Sequence, residues 1–278
     1  MRRATRVFIF HAKHRNNRQE NTSYVYNRMR ALRGNYQYQE RLGKLSPPWT
    51  TYGLLMAVRT AKKYGYNSIS VAEFGVTNGR GLRKMINLAE RLSTQSGVKI
   101  PVYGVDTAEG LPAPTDYRDH PELFSEGDYP IQDFDQLQSE LGGRASFIIG
   151  DIRKIGALDG IITSTGPLGF ASVDVDIDSS DKSALKLIAD ANTDTLLATV
   201  GLHFDDVWSE WGYNRFAGEL LAIDEVNTEY ETRKIDSDQY NDHWHNGNKP
   251  WHAAIYQLQV FDHPDRYKTL RSGTQVIK

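Results

Sequence analysis

Residues 68–82 read Ser68-Ile-Ser-Val-Ala-Glu73-Phe-Gly75-Val-Thr-Asn-Gly79-Arg-Gly81-Leu82. A β-branched run ends in the carboxylate of Glu73, glycines follow at positions 75, 79 and 81, and a helical pattern begins at Leu82. Glycine suits a strand-to-helix turn because the backbone bends tightly there and approaches a ligand with no β-carbon in the way. The spacing differs from the G-x-G-x-x-G fingerprint of dinucleotide-binding proteins. The stretch therefore predicts an α/β fold with a ligand-binding turn.

Outward from this turn, helix-length patterns alternate with short apolar runs. This alternation predicts a mainly parallel seven-stranded sheet with helices on both faces. Ligands of such sheets bind at the carboxyl ends of the strands. The predicted strands are 68–73, 98–105, 145–149, 169–175, 195–204, 229–235 and 253–261, and the predicted helices are 52–63, 82–92, 133–141, 181–191 and 216–227.

Composition excludes several classes of protein. The chain has 278 residues, 39% of them hydrophobic, and no cysteine. It therefore has enough apolar material for a core, and it cannot form a disulfide scaffold, a cysteine zinc finger, an iron–sulfur cluster or a thiol nucleophile. No stretch approaches the roughly 18 apolar residues of a membrane span. We expect a cytoplasmic protein with no signal peptide and no membrane association.

Charge is distributed unevenly along the chain. Residues 1–49 hold eleven Lys or Arg against Glu20 and Glu40, a net of +9, so the net charge of -2 leaves -11 for the remainder. We divide the chain into a basic N-terminal arm, 1–50, and one domain, 51–278. The arm also carries tyrosines, and such a segment can bind nucleic acid. The alternative is that it packs on the acidic remainder or on a second copy in a homo-oligomer.

A second acid follows the next predicted strand, which ends Val102-Tyr-Gly-Val-Asp106. A carboxylate at that place can accept hydrogen bonds from both hydroxyls of a ribose. Together with the glycine turn, Asp106 indicates a cofactor that contains a nucleoside.

These residues resemble class I S-adenosylmethionine-dependent methyltransferases. Val102-Tyr-Gly-Val-Asp-Thr-Ala-Glu-Gly-Leu-Pro112 is similar to the DTFEGLP signature of the macrocin O-methyltransferase family, with Ala108 where that family usually has an aromatic residue. The resemblance implies a Rossmann-like fold and S-adenosyl-L-methionine as cofactor. It implies that these residues bind the cofactor: Glu73, Phe74, Gly75, Gly79, Asp106, Thr107, Gly150, Asp151 and Asp174.

Carboxylates are concentrated at the ends of two later strands. If the strand continued, Asp174, Asp176 and Asp178 would lie on one face of it, and Asp205-Asp206 ends the next predicted strand. Oxygen ligands at adjacent strand ends suit Mg²⁺ or another hard divalent cation. The alternative is that these aspartates only terminate strands and cap helices.

The same segments resemble the family's DGDLYEST and DDY motifs. The resemblance implies metal ligands Asp174, Asp176, Asp205 and Asp206, and a metal that holds the hydroxyls of a sugar acceptor. Asp174, Asp176 and His203 are the candidate catalytic residues, with Asp174 favoured as base. A buried structural role for His203 is the alternative. Asp178 stands where the family often has tyrosine, and Asn192-Thr-Asp-Thr195 replaces its Pro-Gly-Gly turn.

Three weaker signals complete the pattern. Ser46-Pro47-Pro48-Trp49 resembles a motif of amino methyltransferases that act on nucleic-acid bases, but it precedes the glycine turn, and a proline turn into a helix explains it. His243, His245 and His252 lie in or near a polar loop and suggest a wall over the acceptor or a surface loop. The stretch 105–140 is acidic and proline-rich, as expected of a lid that disfavours polyanions.

The sequence favours a divalent-metal-dependent O-methyltransferase that uses S-adenosyl-L-methionine on a hydroxylated small molecule, a sugar or a glycosylated natural product. One alternative is a nucleic-acid methyltransferase that uses the basic arm. A second is a non-catalytic protein of the same fold.

Overall fold

The computed structural model describes residues 47–158, 165–207, 214–241 and 250–268. Residues 1–46 of the predicted basic arm, and with them Ser46, lie outside the described residues, as do His243 and His245. The first described helix begins at Pro48, so the predicted boundary between arm and domain falls inside a helix.

Seven strands and five α-helices lie in the described part of the chain, in the order that the sequence predicts. The helices are α1 (Pro48–Tyr64), α2 (Arg80–Ser96), α3 (Phe134–Leu141), α4 (Asp178–Asp190) and α5 (Gly218–Glu229). The strands are β1 (Ser70–Phe74), β2 (Val102–Asp106), β3 (Ser146–Ile149), β4 (Leu168–Val173), β5 (Leu196–Phe204), β6 (Arg233–Ser237) and β7 (Ile255–Val260).

The strands form one sheet in the order β3-β2-β1-β4-β5-β7-β6. The first five of these are parallel, and β7 runs antiparallel to both β5 and β6. The strand order reverses direction between β1 and β4, and the crevice at such a switch point is where open α/β sheets bind ligands. The predicted Rossmann-like α/β fold, with a mainly parallel seven-stranded sheet, is confirmed.

Each face of the sheet has its own hydrophobic core. Helices α1, α2 and α3 cover one face, where Leu54, Leu82 and Leu137 pack with Phe170 of β4. Helices α4 and α5 cover the other face, where Leu185 and Ile223 belong to a second cluster with side chains of β1, β4 and β5. With both faces covered, the central strands are fully buried.

Helix α1 is fitted closely to the sheet. Pro47 is its N-cap and Pro48 its first residue, a position where proline's missing N–H costs no intrahelical bond. The helix contacts β4 and β5. A β-carbon on Gly53 would lie 2.1 Å from Cε2 of the Phe170 ring, so glycine is what permits this approach.

No described helix is long and apolar enough to cross a membrane.

Replacing Gly53 with alanine tests this packing. Because the added methyl overlaps the buried Phe170 ring, Gly53→Ala should lower the free energy of unfolding by about 1–3 kcal/mol. The measurement is urea denaturation of the purified protein. Gly156→Ala is the matched control, since a β-carbon there meets nothing within 4 Å. Equal stability of Gly53→Ala and the wild type would contradict the packing.

Candidate active site

A cavity of about 500 Å³, open to solvent, lies at the carboxyl ends of β1, β2 and β4. Part of its wall comes from the segment after β2, including Leu111 and Tyr129. The residues of the predicted cofactor set that line it are Phe74, Gly75, Asp106, Thr107, Gly150, Asp151 and Asp174. Glu73 and Gly79, from the same set, are not part of its lining.

The glycine turn brings the end of β1 against the end of β4. Gly75 has φ +83°, and a β-carbon there would lie 1.7 Å from the backbone oxygen of Asp174. The Asp174 N–H donates to the Phe74 carbonyl at 2.9 Å. Gly79 has φ +72° at the N-cap of α2 and lies against Leu137 of α3. Gly75 therefore shapes the cavity, whereas Gly79 serves the packing of two helices behind it.

Asp106 fixes the turn to the end of β2. Its Oδ2 accepts the backbone N–H groups of Val76 at 2.6 Å and Thr77 at 3.1 Å, and its Oδ1 accepts that of Ala108 at 2.7 Å. A carboxylate oxygen has two lone pairs. Oδ1 therefore keeps one for a ligand hydroxyl, while both lone pairs of Oδ2 are used by the turn.

Glu73 lies behind the cavity wall. A β-carbon on Gly81 would come 1.9 Å from Glu73 Oε1, so the third glycine of the turn makes room for this carboxyl group. Oε2 has no hydrogen-bond partner in the described part of the chain. Burial, followed by the charges of Asp174 and Asp106, raises the pKa of Glu73 well above its usual range. The Glu73 carboxyl group therefore binds a proton more readily than an exposed glutamate does.

Asp151 is held as a carboxylate at the far side of the cavity. Its Oδ1 accepts from Arg153 Nε at 3.0 Å and its Oδ2 from Arg153 Nη2 at 2.9 Å, and Lys154 Nζ is 3.1 Å from Oδ2. The hydrogen bonds from Arg153 lower the pKa of Asp151 to about 2. The group is therefore ionised and fixed in orientation.

The chain leaves the sheet at the end of β4 earlier than the sequence predicts. Strand β4 ends at Val173, Asp176 has φ +62°, and Asp178 is the first residue of α4. The prediction that Asp174, Asp176 and Asp178 lie on one face of a strand is therefore wrong. The carbonyl of Ile177 accepts from the N–H groups of the first turn of α4, so helix initiation takes over from strand pairing.

Asp174 and Asp176 line the cavity. The charges of Asp205 and Asp206, outside the lining, act on both of them. Burial, then Asp205 and Asp176, raises the pKa of Asp174 well above its usual range. Burial, then Asp206 and Asp205, raises the pKa of Asp176 to about 7. Carboxylates this close cannot all ionise without cost. The cluster therefore takes up a proton or a positive charge near neutral pH.

The predicted metal ligands have suitable chemistry but an unsuitable arrangement. Carboxylate oxygens are the donors that Mg²⁺ prefers. Within the described ranges, however, no group of three or more His, Asp or Glu side chains is placed to hold one metal ion. The residues as arranged do not fit a resident metal, and we derive no chemical step through one.

His203 lies beneath Trp49 and outside the cavity. The two rings are stacked with centroids 5.3 Å apart and planes 7° apart. His203 Nδ1 is 2.9 Å from Ser172 Oγ, and Nε2 is 3.9 Å from Asp205 Oδ1. Burial lowers the pKa of His203 to about 3. The imidazole is therefore neutral and supports the Asp205 end of β5, and the Pro-Pro turn serves to place Trp49 over it. His252 is also buried and packs edge-on against Trp251 at 4.5 Å.

Sequence reasoning missed three groups around the site. Tyr129 lines the cavity. Asp181 is fully buried, and among the described residues no group donates a hydrogen bond to either of its carboxylate oxygens. Buried Glu219 accepts the Asp206 N–H at 2.9 Å. Tyr129 lies in a segment without regular structure, and the two acids belong to helix first turns where acids are ordinary. The sequence gives no local signal for these three roles.

No family model and no curated protein matches the chain. Among solved structures it is similar to CalS11, a calicheamicin methyltransferase, with 16% identity and a TM-score of 0.50 over 91% of this chain and 95% of that chain. The chain has the fold of a class I methyltransferase. The apo form of CalS11, described as a TDP-rhamnose 3'-O-methyltransferase of calicheamicin biosynthesis, gives 16% identity and 0.43 over 91% and 97% of the two chains. The plantazolicin methyltransferase BpumL, in complex with a pentazolic desmethylPZN analog and SAH, has 10% sequence identity and a TM-score of 0.37 over 88% of this chain and 91% of that chain.

These comparisons do not confirm the macrocin O-methyltransferase resemblance. At 16% identity the similarity to CalS11 establishes the methyltransferase fold alone.

The pH dependence of stability tests the electrostatics of Asp178, the first residue of α4. Burial, then the charges of Glu225 and Asp119, raises the pKa of Asp178 from 3.8 to about 6. The folded state therefore binds this proton more tightly than the unfolded state, and Asp178 contributes stability at low pH that is lost as pH rises through 6. Relative to the wild type, Asp178→Asn should be more stable at about pH 7.5 than at about pH 4.5.

The measurement is urea unfolding of both proteins at the two pH values in buffer that contains EDTA. Asp135→Asn, an exposed acid in the first turn of α3, is the control and should show no such change. A stability difference between Asp178→Asn and the wild type that is independent of pH would refute the assignment.

Proposed function

We propose that this protein is an S-adenosylmethionine-dependent O-methyltransferase that acts on a hydroxylated small molecule, a sugar or a glycosylated natural product. One observation carries the proposal. A single cavity is lined by Gly75 of the glycine turn and Asp106, and also by Asp174 and Asp176. A nucleoside cofactor and a hydroxyl acceptor would therefore meet in one place.

The cofactor half fits S-adenosylmethionine in its chemistry. Asp106 Oδ1 has a lone pair for a ribose hydroxyl, the backbone at Gly75 is open to the cavity, and Asp151 is a carboxylate in the same lining. By the family resemblance, Asp151 would lie on the adenine side. The ionised form of either Asp174 or Asp176 would favour a cationic sulfonium ion beside it. When bound, this cofactor supplies an electrophilic methyl group on sulfur.

The acceptor half fits removal of a hydroxyl proton. Asp176 has a pKa of about 7, and a general base works best when its pKa is close to the working pH. Asp174 or Asp176 would accept a hydrogen bond from the acceptor hydroxyl and take its proton during methyl transfer. The cavity walls bring the two reactants together, which supplies much of the rate.

The acceptor class is supported by charge and by comparison. Carboxylates at the cavity accept hydrogen bonds from hydroxyl groups and repel polyanions, which disfavours nucleic acid. CalS11, one of the structural neighbours, is described as a TDP-rhamnose 3'-O-methyltransferase, and TDP-rhamnose is one of the acceptors to assay. The alternative of a nucleic-acid methyltransferase depends on the basic arm, whose residues 1–46 are not described. The Mg²⁺ requirement and the homo-oligomer stay sequence predictions.

The cofactor assignment is tested by calorimetric titration with S-adenosylhomocysteine. Asp106→Asn should weaken the binding of S-adenosylhomocysteine about tenfold or more, equal to ~1.4 kcal/mol. The reason is that an amide has one acceptor oxygen for both the turn and the ligand, whereas the carboxylate has two. Asp135→Asn should bind like the wild type, since Asp135 is exposed on α3. Identical affinity in Asp106→Asn and the wild type would remove Asp106 from the site.

The base assignment is tested by turnover with TDP-rhamnose and a panel of hydroxylated acceptors. Asp176→Asn should lose about 10²–10⁴-fold in kcat and keep its affinity for S-adenosylhomocysteine, because the amide cannot take the proton. Assays with added Mg²⁺ and with EDTA examine the metal requirement separately. If the two single variants Asp176→Asn and Asp174→Asn both turn over as fast as the wild type, neither carboxylate is the general base.

A further inference from the structure

The segment between β2 and α3, residues 107–133, is anchored to the rest of the domain by a buried carboxylate. Asp119 Oδ1 accepts the backbone N–H of Ser179 at 2.7 Å. Its Oδ2 accepts the N–H and hydroxyl of Thr115, at 2.6 and 2.7 Å, and the hydroxyl of Ser179 at 3.1 Å. Because Ser179 belongs to the first turn of α4, the segment is fixed beside the carboxylate cluster.

A second set of bonds fixes the backbone immediately before Tyr129. The N–H of Leu111 donates to the carbonyl of Asp128, and the N–H of Gly127 donates to the carbonyl of Leu111, both at 2.8 Å. A β-carbon on Gly110 would lie 2.6 Å from the carbonyl oxygens of Gly127 and Asp128, so glycine permits this pairing. The segment is therefore a built scaffold over the cavity.

Tyr129 is held on this scaffold in an unusual state. Its φ is +58°, a region that an aromatic residue enters only when the surroundings impose it. Its side chain lines the cavity and yet the residue is 54% exposed. Strain of this kind concentrates at ligand-binding positions, and no described hydrogen bond within the chain involves the Tyr129 hydroxyl.

Tyr129 lines the same cavity as Asp174 and Asp176. Burial, then the charges of Asp176, Asp128, Asp206 and Asp174, raises the pKa of Tyr129. The hydroxyl therefore stays protonated at neutral pH and is a donor, whereas carboxylate oxygens are acceptors. A ligand in this cavity has an aromatic donor and carboxylate oxygens available to it.

We propose that Tyr129 is an acceptor-binding residue, and that it holds a pyranose ring between its phenol and the carboxylates of Asp174 and Asp176. A pyranose has an apolar C–H face that stacks on an aromatic ring, and vicinal hydroxyls that donate to carboxylates and accept from the phenol. This placement directs a ring hydroxyl to the carboxylates that take its proton. The inference rests on the proposed function, because it names the acceptor of that same cavity.

Saturation-transfer difference NMR tests the inference with methyl α-L-rhamnopyranoside, methyl α-D-glucopyranoside and catechol as probes. The proteins are the wild type, Tyr129→Phe, Tyr129→Ala and Tyr117→Ala, each with and without S-adenosylhomocysteine. Tyr117 is the matched control, since it belongs to the same segment, is 70% exposed and does not line the cavity. Thermal unfolding of each variant checks that it is folded.

We expect saturation of the ring protons of at least one pyranoside in the wild type and in Tyr117→Ala. Tyr129→Ala should bind that pyranoside about tenfold more weakly or worse, and Tyr129→Phe, which keeps the ring and loses the hydroxyl, should lie between them. Affinity for S-adenosylhomocysteine should change much less than affinity for the sugar.

Three results would overturn the inference. They are equal pyranoside binding by Tyr129→Ala and the wild type, binding of catechol alone, and no pyranoside binding by the wild type. Failure of the proposed cofactor is seen separately, as the absence of S-adenosylhomocysteine binding by the wild type. The sugar titration without that ligand still decides the role of Tyr129 in such a case.

Discussion

The close approach of the β1 turn to the end of β4 is the constraint on which the site depends. With no β-carbon at Gly75, the turn passes within contact distance of the Asp174 carbonyl, so the ends of two central strands define one crevice. The N–H groups of the same turn are bound by Asp106 at the end of β2. The glycine turn, Asp106 and the end of β4 at Asp174 are therefore held together by a few hydrogen bonds and close contacts at the switch point of the sheet.

The second feature of the site is the concentration of acids that are partly withdrawn from water. Burial, and then the charges of neighbouring acids, raises the pKa of Asp174, Asp176 and Glu219. A cluster of this kind destabilises the folded state near neutral pH, where the unfolded chain would release these protons. Perturbed pKa values of this kind cluster at functional sites. In the proposed function the same carboxylates would attract a sulfonium ion, receive hydroxyl hydrogen bonds and accept a proton.

Much of the fold was predictable because its signals are local. Short apolar runs in the sequence predict the seven strands, and the glycines at 75, 79 and 81 mark the turn after β1. The roles of individual residues were less predictable because they depend on distant contacts. The period of Asp174, Asp176 and Asp178 looks like a strand, but the first turn of α4 begins at Asp178. The neutral state of His203 comes from burial under Trp49, far away in sequence, and the place of Tyr129 is set by bonds from Leu111 and by the Asp119 anchor.

A crystal structure of the protein with S-adenosylhomocysteine tests the central claim most directly. We predict the ligand in the cavity at the carboxyl ends of β1, β2 and β4, with its ribose at Asp106 and its sulfur on the side of Asp174 and Asp176. Electron density for the ligand at another place, or a cavity that stays empty at saturating ligand, would contradict the assignment of this crevice as a methyl-transfer site.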